Sequence, residues 1–117
     1  MKLLRSFGYA LEGLRTCFIT QRNFRIHLFA ALCVVATGIF FGVSRLEWAL
    51  LVICIVLVIA VEMINTVIEM LCDWLHPAAH PLIKKVKDIS AAAVLVTACG
   101  SIVIAALIFI PHLLSFL

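Results

Sequence analysis

One apolar stretch of the chain contains five polar residues of the types that move protons or bind phosphate: Glu62, Asn65, Thr66, Glu69 and Asp73. Their spacing places all five on one side of an α-helix, because each residue advances the helix by about 100°. Ionisable groups in a membrane helix are costly, and they generally face a protein interior or a watery cavity in which they serve a function. We call these five residues the polar stripe and take them as the candidate site.

The depth of the polar stripe follows from the apolar run before it. Residues 48–61 are all apolar, and they extend over about 21 Å of helix against a hydrocarbon core of about 30 Å. If Trp48 marks the outer boundary, Glu62 lies just inside the inner edge of the core, and Glu69 lies about 10 Å further along, among the headgroups. A carboxylate at the first depth can act as general base on a lipid hydroxyl. A carboxylate at the second depth can bind Mg²⁺, which commonly bridges to phosphates.

Two functions of different classes fit the polar stripe taken alone. One is phosphoryl transfer to a lipid, in which Lys84, Lys85 and Lys87 neutralise a polyphosphate. The other is proton-coupled export, in which Glu62 carries the proton. The sequence contains no G-x-x-x-x-G-K-[ST] motif and no kinase glycine-rich loop, so any nucleotide site must be built in another way.

The composition places the chain in a membrane. Of its 117 residues, 66% are hydrophobic and 13% are charged, whereas an ordinary soluble domain is about 45–50% apolar and about 25% charged. A body this small has too much surface to hide so much apolar material from water. A soluble enzyme, a secreted disulfide scaffold and a disordered tail are therefore excluded, and we expect one membrane domain over residues 1–117.

Periodicity and charge divide this domain into an N-terminal helix and three membrane crossings. Residues 1–22 have apolar positions three and four apart, which is typical of an amphipathic helix lying in the membrane interface. Crossings are predicted over 26–43, 47–72 and 88–110, the last ended by Pro111. A loop is predicted over 76–84, because Pro77 and Pro81 cannot both lie inside a helix. The predicted fold class is an all-α membrane protein.

The basic residues predict the orientation of the chain. Eight of the nine lysines and arginines lie before the first crossing or between the second and third, and only Arg45 lies in the other short loop. By the positive-inside rule, the N-terminus and the 76–88 loop are cytosolic and the C-terminus is outside. The net charge of +3 is therefore a topology signal, and we expect no nucleic-acid partner.

The motifs of the chain resemble those of the bacterial diacylglycerol kinase family, which includes the undecaprenol kinases of Gram-positive bacteria. The resemblance rests on E-x-x-N-[ST]-x-x-E at 62–69, on His80-Pro81, on Lys87-Asp88 and on the stretches at 8–10 and 23–25. It implies a multi-pass lipid kinase of the bacterial plasma (inner) membrane that uses ATP and Mg²⁺. It also implies a homotrimer with sites formed between neighbouring subunits.

The resemblance implies roles for individual residues as well. Glu62 looks like the catalytic base that meets the lipid substrate, Asn65 would orient Glu62 or the lipid hydroxyl, and Glu69 looks like a ligand of Mg²⁺. The residues that would contact ATP are Tyr9, Glu69, Ala78, Ala79, His80, Lys87 and Asp88.

One position departs from the family pattern. Gln21 stands where many members carry a glutamate as a second metal ligand. A glutamine oxygen can still coordinate the metal but brings no negative charge, so we expect weaker metal binding unless Asp73 or the nucleotide phosphates compensate. We interpret His27 and His112 as ordinary residues at the ends of crossings.

The lipid substrate stays open between undecaprenol and diacylglycerol, because both present a primary hydroxyl at the interface and apolar walls discriminate tails poorly. The motif pattern looks somewhat closer to the undecaprenol kinases.

Overall fold

The computed structural model describes residues 1–117 and consists of four α-helices joined by short links. They are α1 (Lys2–Thr20), α2 (Arg22–Phe41), α3 (Arg45–Leu75) and α4 (Pro81–Phe116). α3 and α4 form the most extensive helix pair, α2 packs against both, and α1 packs against α2. The predicted all-α class is therefore confirmed, and α2, α3 and α4 are long and apolar enough to cross a membrane.

The loop between α3 and α4 is shorter than predicted. The sequence predicts a loop over 76–84, but α4 begins at Pro81. His80 caps this helix, because its Nδ1 accepts a hydrogen bond of 3.1 Å from the backbone N–H of Leu82. Proline is favourable at the first position of a helix, where its backbone N–H would be unpaired in any case. Residues 81–84 are therefore helical, and we call the end of the bundle that carries residues 76–80 the loop end.

Helix α4 also continues beyond the residue predicted to end it. Pro111 lies inside the helix, which runs to Phe116. A proline there removes one backbone hydrogen bond, but side-chain contacts on either side hold the last turns. Nε2 of His112 lies 3.1 Å from Oε1 of Glu47, and the ring of Phe116 lies 5.6 Å from that of Phe40.

The link between α2 and α3 turns tightly at the opposite end of the bundle, which we call the linker end. Gly42 ends α2 with φ 62°, a left-handed conformation that glycine adopts without strain. Ser44 and Glu47 then form a reciprocal capping box at the start of α3. A small buried core of Val43, Leu51 and Ile108 lies beside this turn. The linker end is therefore the tightly packed part of the molecule.

The distribution of polar and apolar side chains is the reverse of that in a soluble domain. Only 13 of 117 residues are buried, and four of these are polar: Glu62, Asn65, Thr66 and Ser90. Many large apolar side chains are exposed along the long helices, for example Phe29, Leu32, Phe40, Val56 and Leu107. Such a surface suits contact with lipid or with other apolar helices.

Candidate active site

The polar stripe of α3 runs from a buried carboxylate to an exposed one. Glu62 is 2% exposed, Glu69 is half-buried, and the Asp73 side chain is 68% exposed. The helix thus presents acidic groups in increasingly open surroundings as it approaches the loop end. This gradient joins an apolar environment to a polar one along a single helix face.

The carboxylate of Glu62 is buried, but it is not fully hydrogen-bonded. Its Oε2 has no hydrogen-bond partner, and Nε2 of His27 on α2 lies 3.7 Å away, beyond hydrogen-bonding distance. Leaving a buried polar atom unpaired costs about 1–3 kcal/mol, and more for a charged one. A protein that retains such a group in its interior in general uses it, and Glu62 is therefore the first candidate for chemistry.

His27 does not fit its interpretation as an ordinary residue at the end of a crossing, since it lies beside Glu62. The sequence did contain a usable signal. His27 is the one ionisable side chain in the otherwise apolar segment 26–43, and an ionisable residue within a membrane helix is by default a candidate for function.

Asn65 connects two helices within the site. Its Oδ1 accepts a hydrogen bond of 2.7 Å from Oγ of Ser90 on α4, and its Nδ2 donates a bond of 3.4 Å to Oε1 of Glu69. Within the chain Asn65 therefore contacts Glu69, whereas the resemblance implies that it orients Glu62 or the lipid hydroxyl. Ser90 was missed in the sequence because a single serine before an alanine-rich run gives no periodic signal.

Five of the predicted nucleotide contacts surround one open cavity of about 660 Å³ at the loop end. They are Ala78, Ala79, His80, Lys87 and Asp88, and Asp73 and Lys84 line the same cavity. This volume falls within the range of about 300–1,000 Å³ that small-molecule sites occupy. The structure therefore brings the loop and the start of α4 together around a space large enough for a ligand.

The charges of this cavity are paired across and along the helices. Nζ of Lys87 lies 2.5 Å from Oδ1 of Asp73 on α3, and Nζ of Lys84 lies 2.6 Å from Oδ2 of Asp88. Lys87 and Asp88 are thus adjacent in sequence but have different partners. The loop itself is shaped by His76, whose Nδ1 lies 2.7 Å from the carbonyl oxygen of Ala78.

Three of the residues expected to contact ATP or the metal ion do not line the loop-end cavity. Tyr9 is 74% exposed on α1, and Gln21 occupies the extended link between α1 and α2, where its Nε2 donates to Oγ1 of Thr20 at 3.2 Å. Glu69 lies on α3, between the buried Glu62 and the cavity residue Asp73. The site within one chain therefore consists of the polar stripe and the cavity beyond it.

The donor set of Glu69 suits Mg²⁺ held jointly with phosphate. No group of three or more histidine, cysteine or acidic side chains is placed to hold a metal ion, so the chain by itself forms no complete cage. Mg²⁺, however, is usually bound by one or two carboxylates together with substrate phosphates. The half-buried carboxylate of Glu69, oriented by Asn65, fits that requirement.

Comparison with known proteins shows which family this chain belongs to. Residues 8–109 match the sequence model of prokaryotic diacylglycerol kinase. Over 112 residues the chain is 37% identical to an undecaprenol kinase of Bacillus subtilis, covering 96% of this chain and 91% of that protein. Over 95 residues it is 32% identical to a diacylglycerol kinase of Escherichia coli K12, covering 81% and 78% of the two chains.

A third relative is longer than this chain. A diacylglycerol kinase of Synechocystis is 36% identical over 114 residues, which are 97% of this chain and 65% of that protein. Together with the three apolar helices, these matches indicate a bacterial membrane protein. The chain belongs to the prokaryotic diacylglycerol kinase family of lipid kinases, which confirms the resemblance carried by its motifs.

Proposed function

We propose that the chain transfers the γ-phosphoryl group of ATP to the hydroxyl of a membrane lipid, undecaprenol or diacylglycerol. The observation that carries this proposal is the unpaired buried carboxylate of Glu62, on the helix that also contributes Asp73 to the loop-end cavity. A relative named for each of the two lipids aligns with this chain over most of its own length. Both lipids present the same primary hydroxyl, so one site chemistry serves either.

Glu62 is the proposed general base. It accepts the proton as the O–H bond of the lipid breaks, while the lipid oxygen forms a bond to the γ-phosphorus and the bond from that phosphorus to ADP breaks. A base positioned in this way contributes about 10²–10⁴-fold to the rate. Burial supports this role, because an unpaired buried carboxylate in a membrane helix is costly and is in general retained for a function.

The loop-end cavity is the proposed ATP site. Lys87 and Asp88 contact the nucleotide, together with His80 and the two alanines before it, and Tyr9 adds a contact from α1. When ATP binds, Lys87 exchanges the carboxylate of Asp73 for phosphate oxygens. The exchange costs little, because exposed ion pairs in general contribute only about 0–1 kcal/mol.

Glu69 is the proposed ligand of Mg²⁺, with Gln21 as a second, uncharged ligand. When bound there, the ion neutralises negative charge on the phosphate oxygens during transfer. Asn65 holds the Glu69 carboxylate in place, and Ser90 in turn holds Asn65. This chain of hydrogen bonds supports the assignment, because a metal-ligating carboxylate is generally fixed by outer partners.

The proposed assembly is a homotrimer with α1 lying in the membrane interface. The exposed apolar faces of the long helices suit contact between copies of the chain. Tyr9 and Gln21, which lie off the cavity in one chain, would then complete a site of a neighbouring subunit. The loop end is proposed to face the cytosol, where ATP is available, in agreement with the basic residues of the N-terminus and of α4.

The decisive experiment uses purified protein in proteoliposomes with γ-labelled ATP, Mg²⁺ and either undecaprenol or diacylglycerol. We expect label in extracted lipid monophosphate, and competition between the two lipids identifies the preferred acceptor. Proton-coupled flux without any labelled lipid would instead favour the export function, which leaves the charged loop-end cavity without a role.

A further inference from the structure

The contact between His27 on α2 and Glu62 on α3 brings together two ionisable groups within the helix bundle. The His27 side chain is 20% exposed and that of Glu62 only 2%, and Nε2 lies 3.7 Å from Oε2. Oε2 is the one buried side-chain oxygen or nitrogen in the molecule that lacks a hydrogen-bond partner. The histidine therefore stands beside the atom that most needs a donor.

The surroundings leave His27 as the available donor. Its imidazole lines an apolar cavity of about 220 Å³ between α2, α3 and α4. Apart from His27, Ser101 is the one residue of that lining with a side-chain oxygen. The remaining positions around it are aliphatic residues and one cysteine. Glu62 does not line this cavity, and His27 is the one basic side chain with a nitrogen within 4.0 Å of its carboxylate.

We infer that His27 is a positioning residue for Glu62, an inference that rests on the proposed role of Glu62 as general base. A neutral imidazole protonated at Nε2 donates a hydrogen bond to Oε2, which fixes the plane of the carboxylate and leaves Oε1 to receive the lipid proton. The groups need to approach by about 0.7 Å to reach ordinary hydrogen-bonding distance. Catalytic hydrogen bonds are often long in ligand-free structures and tighten when substrate binds.

The test compares two substitutions of the histidine in purified full-length protein, with lipid and Mg-ATP in mixed micelles. His27→Leu removes the donor, and we expect kcat to fall about 10- to 100-fold, as for a misplaced catalytic group, while KM for ATP stays unchanged. His27→Gln retains an N–H at a similar reach and is expected to recover most of kcat. Rescue by glutamine separates hydrogen bonding from packing.

His112→Leu is the matched control. His112 also pairs with a glutamate, its Nε2 lying 3.1 Å from Oε1 of Glu47, and its side chain is 30% exposed, but it lies at the linker end. We expect this variant to retain the kcat of the unmodified protein. An equal fall in kcat for His112→Leu, or equal losses for leucine and glutamine at position 27, would assign His27 a structural role and overturn the inference.

A Glu62→Gln variant measured alongside separates this inference from the function on which it rests. Inactive Glu62→Gln together with fully active His27→Leu would reject the role of His27 alone. Fully active Glu62→Gln would reject the general base itself.

Discussion

Asp73 and Lys87 lie fourteen positions apart in sequence and join α3 to α4 at the loop-end cavity, with Oδ1 of the aspartate 2.5 Å from Nζ of the lysine. Asp88, the residue after Lys87, forms an ion pair with Lys84. Both lysines that line the cavity are thus paired with carboxylates. In the proposed ATP site, a bound triphosphate would compete with these two carboxylates for the lysines.

Lys87→Ala is expected to raise KM for ATP about tenfold or more, because a charged hydrogen bond to phosphate contributes about 1.5–3 kcal/mol. Lys85→Ala is the matched control, since Lys85 lies on the same turn of α4 but does not line the cavity. Steady-state kinetics with varied Mg-ATP make the comparison. An unchanged KM in Lys87→Ala would remove Lys87 from the ATP site.

Glu62→Gln is expected to lower kcat about 10²–10⁴-fold, because glutamine keeps the shape of the side chain but cannot accept the proton. Circular dichroism in detergent should show an unchanged helix content. Glu47→Gln makes the same substitution at the linker end, where Glu47 belongs to a capping box. It should cost stability and leave kcat intact, and a comparable loss of turnover there would contradict the special role of Glu62.

Glu69→Ala is expected to raise the Mg²⁺ concentration required for half-maximal activity, or to abolish activity, because the cation loses its carboxylate ligand. Gln21→Glu should have the opposite effect, since it adds negative charge at the second proposed position. Titration of activity with Mg²⁺ at saturating ATP measures both. If Gln21→Glu leaves the magnesium dependence unchanged, Gln21 is not a ligand.

The fold was largely predictable from this sequence, because three long apolar stretches leave few alternatives to membrane helices. The errors lay at proline. The sequence predicts Pro81 in a loop, but Pro81 starts α4 under the cap of His80. It also predicts that the helix ends at Pro111, but the helix continues past this residue. In both cases local side-chain contacts decided the outcome, and such contacts cannot be obtained from periodicity.

The sequence predicted which candidate residues lie together where they share one helix or one loop. The polar stripe on α3 and the cluster at residues 78–80, 87 and 88 followed from spacing and from motifs. His27 and Ser90 could not be assigned from spacing, because each meets α3 from a different helix. Which helix faces contact each other depends on packing, which a single sequence does not specify.

Ser90→Ala is expected to lower the free energy of unfolding by about 1 kcal/mol, because Oδ1 of Asn65 loses its buried donor. Thr97→Ala is the control, since the Thr97 hydroxyl bonds only to carbonyl oxygens of its own helix. Thermal unfolding in detergent compares the two. Equal stability of both variants would show that the link between α3 and α4 contributes nothing measurable.

Gly38→Ala is expected to lower the unfolding temperature, because a Cβ at this position would lie 2.7 Å from Cη2 of Trp48. Gly100→Ala meets no atom within 4 Å, and it should raise the unfolding temperature, as alanine is favoured over glycine in a helix by about 1 kcal/mol. Opposite signs are the expected result. A rise at both positions would mean that Trp48 moves aside without cost.

The loop-end cavity is lined throughout by residues 73–88, one unbroken stretch of the chain. The residues that form this cavity can therefore be exchanged between homologous chains as one continuous segment, whereas the other proposed contacts of ATP and Mg²⁺ lie outside that segment, at Tyr9, Gln21 and Glu69. The proposed general base and its positioning residue lie on different helices, Glu62 on α3 and His27 on α2, so transplanting them together requires substitutions at separate points of the sequence.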